Sequence, residues 1–120
     1  MKLLEISIVT RNVPALSEFY SIILNKDFDS SRGKEKRSEI HFGEFTLSII
    51  DNGKPPKEKE ERVILQFEVK NVDEEYERLK NLGITITEVP TTYPWGWRAM
   101  GIEDPEGNHI DFVCKMKRGI

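Results

Sequence analysis

Apolar and polar positions alternate most cleanly between Val63 and Val69, where Val63, Leu65, Phe67 and Val69 fall on one side and Ile64, Gln66 and Glu68 on the other. A period of two over seven residues predicts a strand with one face turned to a core. The stretch Ile6-Ser7-Ile8-Val9-Thr10-Arg11-Asn12-Val13 echoes Leu65-Gln66-Phe67-Glu68-Val69-Lys70-Asn71-Val72, so the chain holds two copies of one unit. After each Asn-Val the period lengthens to that of a helix, with Leu16, Phe19, Tyr20 and Ile23 forming one stripe and Val72, Tyr76 and Leu79 the other. Pro14 suits a first helical turn, Asn71 with Glu74 fits a capping box, and Gly83 supplies a left-handed stop.

Three strand-like runs follow each helix, at residues 26–31, 38–42 and 45–50 in the first half and 85–89, 97–103 and 109–115 in the second. Gly43-Glu44 and Asp104-Pro105-Glu106-Gly107-Asn108 carry the turn chemistry between the last two runs of each half. The predicted order is β-α-β-β-β twice, an α+β protein of one domain. Its first module covers residues 1–53 and its second 63–117, separated at 54–62 by a charged, solvated linker expected to be mobile.

Composition narrows the function classes. The 120 residues are 38% hydrophobic and 32% charged, ordinary for a globular protein, and no run reaches the ~20 apolar residues that a membrane helix needs. The start Met1-Lys2-Leu3-Leu4-Glu5 breaks its apolar run with charge, unlike a signal peptide, so a cytoplasmic location is expected. Cys114, the single cysteine, forms no internal disulfide and fits a reducing compartment. A net charge of −3 with interspersed lysines and arginines leaves no basic footprint for nucleic acid. Gly-x-Ser-x-Gly elbows, phosphate loops, Cys-x-x-Cys pairs and His-Glu-x-x-His helices are all missing.

The helix entry Asn12-Val13-Pro14-Ala15-Leu16-Ser17-Glu18-Phe19-Tyr20 and the hairpin Asp104-Pro105-Glu106-Gly107-Asn108 resemble, at this spacing, the vicinal-oxygen-chelate superfamily. That superfamily includes glyoxalase I, bleomycin-resistance proteins and dioxygenases. The resemblance spans nearly the whole chain. It implies two βαβββ modules whose mixed sheets curl into a concave cleft with helices outside, and commonly a homodimer. It also implies divalent metal ligands (Zn, Ni, Mn or Fe) on cleft-facing strand positions. Residue by residue these fall on Glu5, Ser48, Ile64 and Asp111. Only the two carboxylates can ligate, and an aspartate reaches about one methylene less far than glutamate, a large error against bonds of ~2.0 to 2.6 Å. His109 shares strand parity with Asp111 and is a substitute ligand candidate, while His41 finds no assignment. The preferred reading is therefore a cleft without the full metal set. Glu5 and Asp111 line it as polar residues paired with a cation such as Arg62 or Arg98, and no cofactor is expected.

Strand parity predicts the cleft lining as Glu5, Ser7 and Val9; Thr46, Ser48 and Ile50; Ile64, Gln66 and Glu68; Ala99 and Gly101; and His109, Asp111 and Val113. Met100, Ile102 and Cys114 belong to the opposite, core face. Ala99 and Gly101 leave either room for a ligand or a place where the sheet bends closely. Tyr93-Pro94-Trp95-Gly96-Trp97-Arg98 is the densest aromatic cluster. It reads as a ligand wall, a subunit interface or core packing. Three functions follow. The first is a metal-free module that resembles bleomycin-resistance proteins and binds a small, aromatic molecule. The second is a metal-dependent enzyme, either a lactoylglutathione-lyase-like lyase or isomerase or an antibiotic-modifying thiol transferase, using Glu5, Asp111 and His109. The third is a docking domain for another protein.

Overall fold

The computed structural model describes residues 1–54 and 63–116. Nearly all of the charged linker, Arg62 with it, and Lys117 at the end of the second module lie outside these. The chain divides into two compact units, Met1–Lys59 and Glu60–Ile120. Both follow one plan, a helix packed on one face of a mixed sheet. Among the described residues no helix is long and apolar enough to cross a membrane.

The first unit runs β1 (Glu5–Val9), α1 (Val13–Leu24), a 3₁₀ turn (Lys34–Lys36), β2 (Arg37–Phe42) and β3 (Phe45–Ile50). Its sheet order is β1-β3-β2, with β1 parallel and β2 antiparallel to β3. The register pairs Ile6 with Leu47, Ile8 with Ile49 and Ile40 with Leu47, placing these apolar side chains on one face. There they meet α1, whose Val13, Leu16, Tyr20 and Ile23 are fully buried. Ser17 completes the buried stripe in place of Phe19, which is half-buried. The serine is tolerated because its hydroxyl donates to Val13 O at 2.6 Å and shares a hydrogen bond with Ser38. Asn12 Oδ1 caps the helix by accepting from Ala15 N at 3.2 Å, and Asn25, at φ 52°, closes it in the left-handed region.

The strand expected at residues 26–31 shrinks to a single bridge, Asp29 with Glu39. Asp29 Oδ1 accepts from Ser31 N at 2.9 Å, and this side-chain turn competes with the ladder and bends the chain away after one residue. The Ser31 hydroxyl, with this backbone N–H beside it, holds the Asp29 carboxyl below the usual carboxylate range.

The second unit contains β4 (Ile64–Glu68), α2 (Val72–Asn81), β5 (Ile86–Thr92), β6 (Trp97–Glu103) and β7 (His109–Lys115). Its order is β4-β7-β6-β5, and β4 runs parallel to β7 as β1 does to β3. Met100, Ile102, Ile110 and Phe112 form the buried face, with Val72 and Leu79 of α2, as parity anticipates. Cys114 is a buried free thiol on the same face. Asn71 Oδ1 accepts from Glu74 N at 3.1 Å at the start of α2, and Gly83, at φ 76°, follows its end.

Both ends of β6 close with the same sequence pattern, a Pro-x-Gly three-residue loop. Tyr93 N donates to Trp97 O at 2.8 Å across one loop, and Asp104 N to Asn108 O at 2.9 Å across the other. Gly96 and Gly107 take φ of 89° and 81°, the left-handed third position that this hairpin requires. Asp104 is only 4% exposed, and its carboxylate accepts from Glu106 N, Asn108 N and Asn108 Nδ2 at 2.8, 2.9 and 2.6 Å. Replacing Asp104 with Ala strands these donors in a part-buried turn and should lower stability by about 1 to 3 kcal/mol. Urea unfolding of the variant against wild type measures it.

Candidate functional site

The two sheets present very different faces on the side away from their helices. In the first unit the register brings Glu5, Ser7, Arg37, Glu39, His41, Thr46 and Ser48 onto one face. These groups satisfy one another. Arg37 donates to Glu5 Oε1 at 2.6 Å and to Glu39 Oε2 at 2.9 Å, and Arg32 and His41 approach Glu39 at 3.4 and 3.7 Å. Glu39 and Glu5 keep the Arg37 guanidinium above its ordinary value. Ser48 is fully buried, with its hydroxyl hydrogen-bonded to Ser7 Oγ at 2.6 Å. The partner of Glu5 is thus Arg37 and not Arg98. Sequence parity overlooks it because Arg37 stands just outside the run at residues 38–42. His41, which sequence left unassigned, lies 3.3 Å from Thr46 Oγ1.

The second unit opens a pocket of about 690 Å³ on the corresponding face of its sheet. Gln66 and Glu68 enter from β4, Asp111 and Val113 from β7, and Trp97 and Ala99 from β6. All but Trp97, which the sequence offered through the aromatic cluster, stand where strand parity placed them, and the register puts them on one side: Gln66 opposes Asp111, Glu68 opposes Val113, and Val113 opposes Ala99. The β5–β6 loop adds Trp95 and Tyr93, whose rings stack at 4.9 Å between centroids with 15° between planes. Met116 N donates to Gly96 O at 2.9 Å and ties this loop to the end of β7.

Glu88 also lines the pocket, although simple alternation assigns it to the face of Ile86. Ile86 pairs with Ile102 on the core side, yet Glu88 pairs with Gly101 on the pocket side. A bulge between them, and a second before Thr91, reverse the alternation. Pro90 is the one hint in the sequence, since a proline inside a strand marks an edge or a bulge. The Tyr93 hydroxyl donates to Glu88 Oε1, and this carboxylate raises the phenol above its usual ionisation range.

Gly101 does not widen the pocket floor. A Cβ built there would lie 2.6 Å from Thr87 Oγ1 and 3.2 Å from both His109 Cε1 and Nε2, so the space is filled by the Thr87 hydroxyl and the His109 ring. His109 Nε2 in turn lies 2.8 Å from Asp111 Oδ1. Ile64, opposite His109 on β4, is half exposed. Arg98 turns away from the pocket altogether. It lies on the core-side parity of β6 and grips Asp73 in the first turn of α2 through two hydrogen bonds, of 3.0 and 2.9 Å, with a third to Thr92 Oγ1. That pairing holds the Asp73 carboxyl below its ordinary range. The expectation that Arg98 serves the cleft carboxylates is therefore corrected, because its odd place in the alternation puts it behind the sheet.

Of the four positions where resemblance implies metal ligands, only Glu5 and Asp111 carry carboxylates. Ile64 has no donor atom, the Ser48 hydroxyl is committed to Ser7, Glu5 is paired with Arg37 and Asp111 with His109. Among the described residues no three His, Cys, Asp or Glu side chains are placed to hold a metal.

Two measurements check this geometry. The Tyr93 phenol should ionise above the ordinary ~10, and Glu88→Gln should bring that transition down; ultraviolet titration with Tyr93→Phe as the assigning control reads it. Gly101→Ala should cost about 1 to 3 kcal/mol by overpacking and displace His109 from Asp111, seen in the imidazole NMR signals.

The sequence matches the model of the Glyoxalase/Bleomycin resistance protein/Dioxygenase superfamily over residues 2–112. No curated protein matches it. Among solved structures, a "conserved domain protein" is 29% identical with a TM-score of 0.82, covering 96% of this chain and 99% of its own. A glyoxalase/bleomycin resistance protein/dioxygenase family enzyme from Burkholderia phytofirmans PsJN superposes with a TM-score of 0.85 at 18% identity, over 97% of this chain and 100% of its own. A lactoylglutathione lyase from Agrobacterium tumefaciens gives 0.73 at 18% identity, over 94% and 92%. With a family match over nearly its whole length, this chain belongs to the Glyoxalase/Bleomycin resistance protein/Dioxygenase superfamily.

Proposed function

We propose that the protein binds a small, flat aromatic molecule in the pocket of its second unit, without a resident metal. The observation that carries this reading is the stacked Tyr93–Trp95 pair standing beside Trp97 over a pocket of about 690 Å³. That volume falls within the ~300 to 1,000 Å³ of small-molecule sites. Aromatic walls favour planar ligands through offset stacking. Trp95 is 70% exposed, an apolar cost in water that a stacked ligand would remove. The committed partners of Ser48, Glu5 and Asp111 support the metal-free part of the reading.

The same reading takes the protein as a cytoplasmic homodimer. The buried free thiol of Cys114 fits a reducing compartment, and the exposed apolar side chains Val9 and Ile64 on edge strands β1 and β4 fit a subunit contact.

Acridine, a neutral planar probe, should quench tryptophan fluorescence saturably, and Trp95→Ala should weaken its binding by about tenfold, the loss of roughly one stacking contact. Protein soaked in Ni, Zn, Mn or Fe and then desalted should carry no stoichiometric ion and bind acridine equally well. A retained ion whose chelation abolished binding would instead support the metal-dependent enzyme.

A further inference from the structure

The charge of the pocket goes further than its shape. Three of its lining residues, Glu68, Glu88 and Asp111, are carboxylates, and none is a lysine or arginine. Arg98, the cation nearest in sequence to the aromatic loop, is locked behind the sheet on Asp73. Lys115, cross-strand from Trp97, is the one lysine or arginine among the described strand residues of this face, and it is exposed and outside the lining. The first unit neutralises the carboxylates of its own face with Arg37 and Arg32. The pocket carboxylates are met differently. Glu88 receives a neutral phenol, Asp111 an imidazole, and Glu68 has no partner among the described residues. Two acceptor-rich walls therefore face a stacked aromatic pair with no lysine or arginine of the described residues in the lining between them.

We infer that the pocket takes a planar aromatic cation, an aryl-amidinium, aminoheteroaromatic or similar delocalised ligand. This rests on the pocket being the ligand site. The ring lies against Tyr93, Trp95 and Trp97, where the negative faces of the aromatics favour a cation, and its N–H groups reach Glu68 and Glu88 as charge-assisted hydrogen bonds. A neutral ligand of the same shape gains only the stacking, and an anion meets three like charges.

The test compares three probes of one shape at neutral pH and low salt: protonated 9-aminoacridine, neutral acridine and anionic acridine-9-carboxylate, titrated calorimetrically into the full chain. The cation should bind about tenfold or more above acridine, with the carboxylate weakest. Glu68→Gln and Glu88→Gln should each shrink the cation-to-neutral ratio, as should raised salt, while Trp95→Ala should weaken both probes and shrink the ratio less than either carboxylate change. Near-ultraviolet circular dichroism checks that each variant is folded. Glu68 is exposed, so Glu68→Gln gives a readout even if Glu88→Gln disturbs the Tyr93 contact. Equal binding of cation and neutral probe, or preference for the anion, overturns the charge inference while leaving an aromatic pocket. Binding of none of the three overturns the pocket reading as well.

Discussion

The pairing of β6 with β7 is the constraint on which the second unit depends. A strand shifted by one residue presents its other face, so a slip here would send Met100 and Ile102 outward and bury Trp97 and Ala99. Two contacts hold the register. At one end Asp104 gathers three donors of its own loop; at the other, Met116 N reaches Gly96 O. Between them Met100 opposes Phe112 and Ala99 opposes Val113, so core and pocket are set by one ladder. The edge Phe112 shows to Phe67, 6.2 Å between centroids, extends that ladder to β4.

Much of this was legible in the sequence because regular alternation is. Gln66, Ala99 and Asp111 reach the pocket from three strands, each placed by counting in twos. What escaped was local and irregular. Glu88 arrives through the bulge that follows Ile86, and alternation has no term for an inserted residue. Asn25 takes the left-handed cap usually given to glycine. The segment near Asp29 has the spacing of a strand but also a side chain able to bend its own backbone. Gly101 offers, in sequence, either room for a ligand or a close approach of the sheet, and its space belongs to Thr87 and His109 of the two neighbouring strands, contacts that no single-strand pattern reveals.

The two units also show how one plan supports different chemistry. In both, the first strand lies parallel to the last and a helix covers one face. In the first, Arg37 bridges Glu5 and Glu39 and a serine pair closes the middle strand, giving a face of satisfied charge. Such a network resists a competitor, since an incoming ligand must break pairs before making new ones. In the second, the guanidinium that could play this part, Arg98, falls on the face of Met100 and Ile102 and anchors the helix instead. One step along a strand separates an arginine that neutralises a binding face from one that leaves it acidic.

Placing the clamp and the wall at opposite ends of β6 has an adaptive consequence. The Asp104 loop fixes the sheet, while Pro94 and Trp95 sit at the tip of the other hairpin with Gly96 supplying the turn geometry. Residues at the tip carry no ladder hydrogen bonds of their own, so they can be exchanged at small cost to folding. A protein built this way can reshape the mouth of its pocket by rewriting two loop residues, with the scaffold indifferent to the outcome.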